Sequence, residues 1–139
     1  MKQRHGYSKL HVHIVFKTWR RAALIDSREK ERFIGKVFEG KTHELDAWLE
    51  GFGAWEDHIH AVVRYQPGLP VEKLVHDLKG VSAWLWNKEH KDDWGFLKWQ
   101  DGYWAESICA AHTVTVAEYA RKQREHHAGK STITALEPD

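Results

Sequence analysis

The chain has 139 residues, enough for one domain with a proper core and too few for two. Lys and Arg number 21 against 20 Asp and Glu, so a net charge of +1 exerts no long-range pull on a polyanion, and any nucleic-acid contact has to come from local patches. The single cysteine, Cys109, excludes an internal disulfide, and no apolar stretch reads as a signal peptide or a membrane-spanning helix, so the cytoplasm is the expected compartment and no membrane partner is expected.

Leu10 to Phe16 carries branched and aromatic residues with two interposed histidines and reads as a strand, ending at the polar turn Lys17-Thr18-Trp19-Arg20-Arg21. Asp26, with Glu29 three residues on, offers a capping-box-like start to a helix whose stripe is Phe33, Ile34, Val37, Phe38 and Leu45. Gly35 and Gly40 weaken that helix by ~1 kcal/mol each relative to Ala. From Asp46 to Arg64 the composition turns strand-like and is interrupted near Glu56 and Asp57, which predicts two tightly joined strands ending at Gln66-Pro67-Gly68.

Pro70 suits a first helical turn, and Val71, Leu74, Val75, Leu78, Val81 and Leu85 then fall on one helical face. Lys98-Trp99-Gln100, a turn at Asp101-Gly102, and Tyr103 to Cys109 read as a short strand followed by a longer one. Thr115 and Glu118 form a capping box, which predicts a last helix from about Val116 to His127, and the polar tail from Ala128 onward is expected to fray. The order is strand, helix, two strands, helix, two strands, helix. It predicts an α/β (α+β) domain over 1–139, with a core of about 10–127: a ferredoxin-like antiparallel sheet with two covering helices, one extra strand and an appended C-terminal helix.

Two motifs carry chemistry. His58-Ile59-His60 lies on a predicted strand, where the period of two sends both imidazoles to one face and Ile59 to the other. Two ligands converge without bending the chain. Chance also produces this spacing among eleven histidines, and His11-Val12-His13 repeats it. On the last helix Tyr119 and Gln123 are four residues apart and share a face, with His127 one turn further. Alone, that helix is better read as an ordinary amphipathic one, with Tyr119 a half-buried aromatic and Gln123 a surface polar residue.

Together with their surroundings these motifs become specific. Glu56-Asp57-His58-Ile59-His60-Ala61-Val62-Val63 resembles the signature of single-tyrosine HUH transposases, the family of small insertion-sequence transposases and REP-associated tyrosine transposases. Lys73-Leu74-Val75 through Leu78-Lys79-Gly80, Trp99-Gln100-Asp101-Gly102-Tyr103, and Val116-Ala117-Glu118-Tyr119 through Gln123-Arg124-Glu125-His126-His127 are similar to further blocks of that family, in the same order. His13-Ile14-Val15-Phe16 and Arg20-Arg21 resemble its first strand and the following turn, so the resemblance runs from about Leu10 to His127. It departs at Trp55-Glu56, where the family often has Met-Pro, which bears on the turn geometry and on the role of Asp57 behind the histidines.

The resemblance implies a metal-dependent single-strand DNA endonuclease and strand transferase. Tyr119 would be the nucleophile that forms a 5′-phosphotyrosine, and His58, His60 and Gln123 the ligands of Mg²⁺ or Mn²⁺. It also implies a homodimer acting on single-stranded DNA that contains a hairpin. A non-cutting, host-retained binder of such DNA is the alternative.

DNA contacts are expected from Lys17, Trp19, Arg20 and Arg21 in the basic turn, from Lys79 beside Gly80, and from Arg121, Lys122 and Arg124 around the tyrosine. Solvated surface is the plain alternative for each. Close approach of a backbone would explain a glycine at position 80 inside a helix. Trp84, Trp86, Trp94, Trp99 and Trp104 are expected to include several core or dimer residues, and His126-His127 either extends the metal site or meets the helix macrodipole. A histidine-triad nucleotide hydrolase would need a further alternating histidine where Val62 stands. A cupin-type site would need a nearby Glu, where Arg64, Tyr65 and Pro67 follow instead.

Overall fold

The computed structural model describes residues 8–138. Its main elements are β1 (Leu10–Lys17), α1 (Arg28–Glu44), β2 (Trp48–Trp55), β3 (His58–Tyr65), α2 (Val71–Trp94), β4 (Trp104–Ile108), α3 (Thr113–Arg121) and α4 (Gln123–Ala128). The strands form one antiparallel sheet in the order β2-β3-β1-β4, the arrangement expected of a ferredoxin-like core.

Alternation along the strands divides the residues between two faces. Val12, Ile14 and Phe16 of β1, with Ile59, Ala61 and Val63 of β3, bury against Ile34 and Phe38 of α1 and Leu74, Leu78 and Trp86 of α2. The other face carries His58, His60 and Val62, and there Val62 packs with Val116, Ala117 and Ala120 of α3. The main core thus lies between the sheet and two helices, and the smaller one lies under the C-terminal helices.

Two glycines let α3 lie directly on β2. A Cβ at Gly53 would stand 1.6 Å from the Ala120 carbonyl oxygen, and one at Gly51 would stand 2.8 Å from Ala117 Cα. Gly53 pairs with His60 and Gly51 with Val62 across the ladder, so this close approach brings the tyrosine helix down beside the histidine strand.

Several expectations are corrected in detail. The first helix is capped by Ser27, whose Oγ accepts from Lys30 N at 3.2 Å, while Asp26 pairs with the Lys30 side chain at 2.7 Å instead of starting the helix. On α2 the fully buried stripe continues from Leu78 through Ser82 and Trp86, leaving Val81 and Leu85 half-buried. Ser82 is tolerated there because Oγ donates back to Leu78 O at 2.6 Å and accepts from Trp99 Nε1 at 3.0 Å. The short strand at Lys98-Trp99-Gln100 is reduced to one bridge between Thr18 and Trp99, closed by Trp19 N to Lys98 O and Gln100 N to Lys17 O at 2.8 Å each, because the chain on the other side leaves β1 for the turn at Trp19–Arg21. The second strand of that pair is confined to Trp104–Ile108.

The C-terminal helix begins at Thr113, so Thr115 is interior and its capping box does not form; Glu118 pairs with Arg121 instead. The helix also breaks at Lys122 (φ −103°, ψ 28°), dividing it into α3 and α4. The tail does not fray as expected. A 3-10 turn at Thr134–Leu136 folds it back, with Leu136 against the Val62 cluster and Glu137 beneath α3. Gly80 has open space around its Cβ position, so no close approach within the described chain accounts for it.

Candidate functional site

The histidine strand presents its two imidazoles as the alternation predicts, and both are buried. Each ring is held from behind through Nδ1. His58 Nδ1 lies 2.7 Å from Asp57 Oδ1, and His60 Nδ1 lies 2.8 Å from His13 Nε2. Because a carboxylate only accepts, Nδ1 donates to Asp57, and Nε2 is turned into the site. His58 Nε2 is buried with no hydrogen-bond partner, which is how an imidazole shaped to hold a cation stands.

Asp57 is fixed in turn by the basic turn after β1. Arg21 Nε donates to Asp57 Oδ2 at 2.9 Å, and Thr18 N donates to the Asp57 carbonyl at 2.9 Å. Arg20 and Arg21 both adopt left-handed backbone (φ 56° and 57°), a conformation that costs a non-glycine residue roughly 1 kcal/mol or more. The bonds to Asp57 and the Thr18 Oγ bond to Ala22 O at 2.8 Å hold it. The Trp55-Glu56 departure from the family pattern therefore leaves Asp57 well placed to orient His58.

Tyr119 enters from α3. Its ring lies edge-on to His60 with centroids 5.9 Å apart and stacks on His126 at 4.2 Å. Its hydroxyl donates to Glu137 Oε2 and accepts from Ile133 N at 2.9 Å. Glu137 Oε1 faces three imidazoles, at 3.1 Å from His60 Nε2, 3.2 Å from His58 Nε2 and 3.4 Å from His127 Nε2. Gln123 is fully buried one contact away; its Oε1 is 3.1 Å from His127 Nε2 and its Nε2 donates to Tyr119 O at 3.3 Å.

Burial sets the protonation of this cluster. It lowers His60 and His127 below the usual histidine value, and with the neighbouring His60 it takes His13 down to about 3. Burial opposes charge on His58 as well, but the carboxylates of Asp57 and Glu137 beside it prevail and raise it. Asp57, raised by burial, is nonetheless drawn down to about 2 by His58 and Arg21. Burial and the Glu137 hydrogen bond hold the Tyr119 phenol well above its usual range, so it is protonated at neutral pH.

The donor set of two imidazoles with oriented rings and a carboxylate suits a divalent cation, while the Gln123 amide oxygen is engaged by His127 beside it. His58, His60 and Glu137 bring their ligand atoms within 4.8 Å of one another.

The remaining candidates divide. Lys17 is half-buried at the edge of the site, paired across the ladder with His58, and Trp19 and Arg20 are exposed. The Lys98 ammonium stands 4.1 Å from the Trp19 ring centroid. Lys79 Nζ is committed to Gln100 O and Gly102 O at 2.8 and 2.5 Å, tying α2 to the loop before β4. Arg124 donates to Ile25 O and Ser27 O at 2.7 and 2.8 Å, an internal strut, while Arg121 and Lys122 are exposed and pair with Glu118. Trp86 and Trp99 are core, Trp94 and Trp104 half-buried and Trp84 exposed.

Sequence reasoning missed two members of the site. His13 was legible in principle, since His11-Val12-His13 repeats the alternation of His58-Ile59-His60 on a strand that pairs beside it. Glu137 carried no local signal.

The family model described as "Transposase IS200 like" matches residues 6–123. Among curated proteins none matches the chain. Among solved structures, a candidate transposase from Deinococcus radiodurans R1 is similar with a TM-score of 0.69 at 20% identity, covering 96% of this chain and 100% of that one. A REP-associated tyrosine transposase bound to a REP hairpin is similar with a TM-score of 0.62 at 12% identity, covering 91% of this chain and 74% of that one.

Proposed function

Since the chain belongs to the IS200-like transposase family, we propose that it cuts and rejoins single-stranded DNA through a 5′-phosphotyrosine on Tyr119 at a divalent-metal site built on His58 and His60. The observation that carries this reading is that one carboxylate, Glu137, touches both the Tyr119 hydroxyl and the two histidines, so nucleophile and ligand pair share a site.

His58 and His60 would hold the ion through Nε2, with Gln123 offering its amide oxygen from the helix side. Mg²⁺ or Mn²⁺ bound there supplies Lewis-acid polarisation of a phosphoryl oxygen and offsets the charge that develops on it. Asp57 and His13 keep the ligand nitrogens aimed. Tyr119 Oη attacks the phosphorus; its bond to phosphorus forms as the bond to the 3′ oxygen breaks, and the phenolic proton has to leave in the same event. The free 3′-hydroxyl departs. A second 3′-hydroxyl can then reverse the step on another strand, releasing Tyr119, so joining needs no separate energy source.

The similarity to a hairpin-bound relative supports a single-stranded substrate containing a hairpin. In this reading the exposed Trp19 and Arg20 and the half-buried Lys17 meet phosphates and a base, with Lys98 on one side of the Trp19 ring, while Arg121 and Lys122 lie at the end of the tyrosine helix. In this reading the protein acts as a homodimer, and the approach of Tyr119 to His60 of its own chain favours attack in cis. No helix among the described residues is long and apolar enough to cross a membrane.

The test is incubation with Mg²⁺ or Mn²⁺ and labelled hairpin-bearing single strands from the DNA flanking the gene, resolved on denaturing gels that retain protein. A metal-dependent, protein-linked band that vanishes in Tyr119→Phe is expected. Binding without an adduct on all such substrates would favour a non-cutting binder instead.

A further inference from the structure

We propose that Glu137 is itself a ligand of the divalent ion, so that the C-terminal segment supplies the anionic member of the metal site. The inference rests on the metal-dependent reading above. Glu137 lies beyond residues 6–123, the part matched by the family model, so this donor belongs to the chain's own tail.

The geometry points to coordination. In an octahedral shell with bonds of ~2.1 Å, neighbouring ligand atoms stand about 3.0 Å apart. Glu137 Oε1 is 3.1 Å from His60 Nε2 and 3.2 Å from His58 Nε2, close to that spacing. Glu137 accepts a hydrogen bond from His60 Nε2, whereas His58 Nε2, almost as close, is buried with no hydrogen-bond partner. Asp57 accepts from Nδ1, so in the neutral ring the Nε2 lone pair is turned toward the Glu137 carboxylate, and a cation would be held by both.

Charge adds to the argument. The other donors, His58, His60 and Gln123, supply no negative charge when the imidazoles are neutral, whereas a hard dication favours a carboxylate oxygen. The segment is built to deliver it. Ile133 N donates to Tyr119 Oη at 2.9 Å, a 3-10 turn follows at Thr134–Leu136, and Leu136 packs against the Val62 cluster before Glu137 turns inward. The second oxygen, Oε2, accepts from Tyr119, so one carboxylate would set the distance between the ion and the nucleophile.

The experiment is a calorimetric titration of the full chain with Mn²⁺ alone, without DNA, comparing the parent with Glu137→Gln, Glu137→Asp and a His58→Ala/His60→Ala double variant. Thermal melts check that each is folded. Glu137→Gln is expected to weaken Mn²⁺ binding by about tenfold or more, with Glu137→Asp between it and the parent, and the double variant losing binding. Parent-like or tighter binding by Glu137→Gln, with the double variant still defective, would overturn Glu137 as a ligand and leave the histidine site standing. Absent binding by the parent, or parent-like binding by the double variant, would overturn the metal-site reading and this inference with it.

Discussion

Replacing Gly53 with Ala tests the way the fold brings the tyrosine to the histidines. The added Cβ would sit 1.6 Å from the Ala120 carbonyl oxygen and 2.7 Å from its carbon. Ordinary carbon–oxygen contacts need roughly 3.3 Å, so α3 has to lift from β2 by at least ~1.5 Å. Overpacking of this kind costs roughly 1–3 kcal/mol, offset by the ~0.5–1 kcal/mol that Ala gains over Gly within a strand. The expected loss of stability is therefore modest, about 1–2 kcal/mol. The loss of function is expected to be larger, because displacing a reacting group by ~1 Å costs on the order of 100-fold in rate. Urea melts would measure the first and the initial rate of covalent adduct formation the second. A Gly53→Ala protein that forms adduct at the parent rate with an unchanged melt would refute the claim that this glycine sets the seat of Tyr119.

Other perturbations separate structure from chemistry. Gly80→Ala, with open space at its Cβ, is expected to gain up to ~1 kcal/mol from helix propensity alone; destabilisation in a thermal melt would reveal a packing demand on α2 that the fold does not display. Ser82→Ala strands the buried Trp99 indole N–H and is expected to cost roughly 1–3 kcal/mol in urea unfolding, so a change below ~0.5 kcal/mol would count against that bond. Asp57→Ala removes the acceptor behind His58 and is expected to weaken Mn²⁺ binding roughly 10–100-fold by calorimetry; unaltered affinity would show that the ring needs no orienting partner. In chelator, stability should fall with pH below about 6.5. His13 is taken down to about 3 in the folded chain, so the unfolded chain binds the proton first as pH drops and the contribution is lost progressively toward that value. Asp57, at about 2 when folded, adds a further loss below the ordinary carboxylate range. A His13→Gln variant should flatten the upper part of this fall, and an identical profile would remove His13 as its source.

Local physics accounts for what was legible beforehand. Alternation is a property of the strand, so His58 and His60 share a face wherever the strand lies, and Ile59 turns to the core as expected. Likewise, the i, i+4 relation kept Tyr119, Gln123 and His127 in mutual reach even though the helix breaks at Lys122. Caps were less legible. Asp26, Thr115 and Glu118 all had suitable chemistry, yet Ser27 took the first cap, and the Glu118 carboxylate went to Arg121, because a competing acceptor lay one residue away in the first case and a competing donor one turn away in the second. The helix stripe on α2 shifted for a similar reason: Ser82 became a buried position once Trp99, seventeen residues on, supplied a donor.

Local pattern already specified the strand carrying two histidines, the helix carrying the tyrosine, and the order of elements that makes an antiparallel sheet with helices. These follow from periodicities of two and 3.6 residues, which act over a few positions. Tertiary structure alone decided that Gly51 and Gly53 seat α3 on β2, that His13 stands behind His60, 47 residues away, and that Glu137 closes on the histidine pair, 77 residues beyond His60. Those contacts depend on which strands pair and where the tail returns. They are stabilised by burial and by convergence of partners, and a residue carries no mark of them in its own neighbourhood.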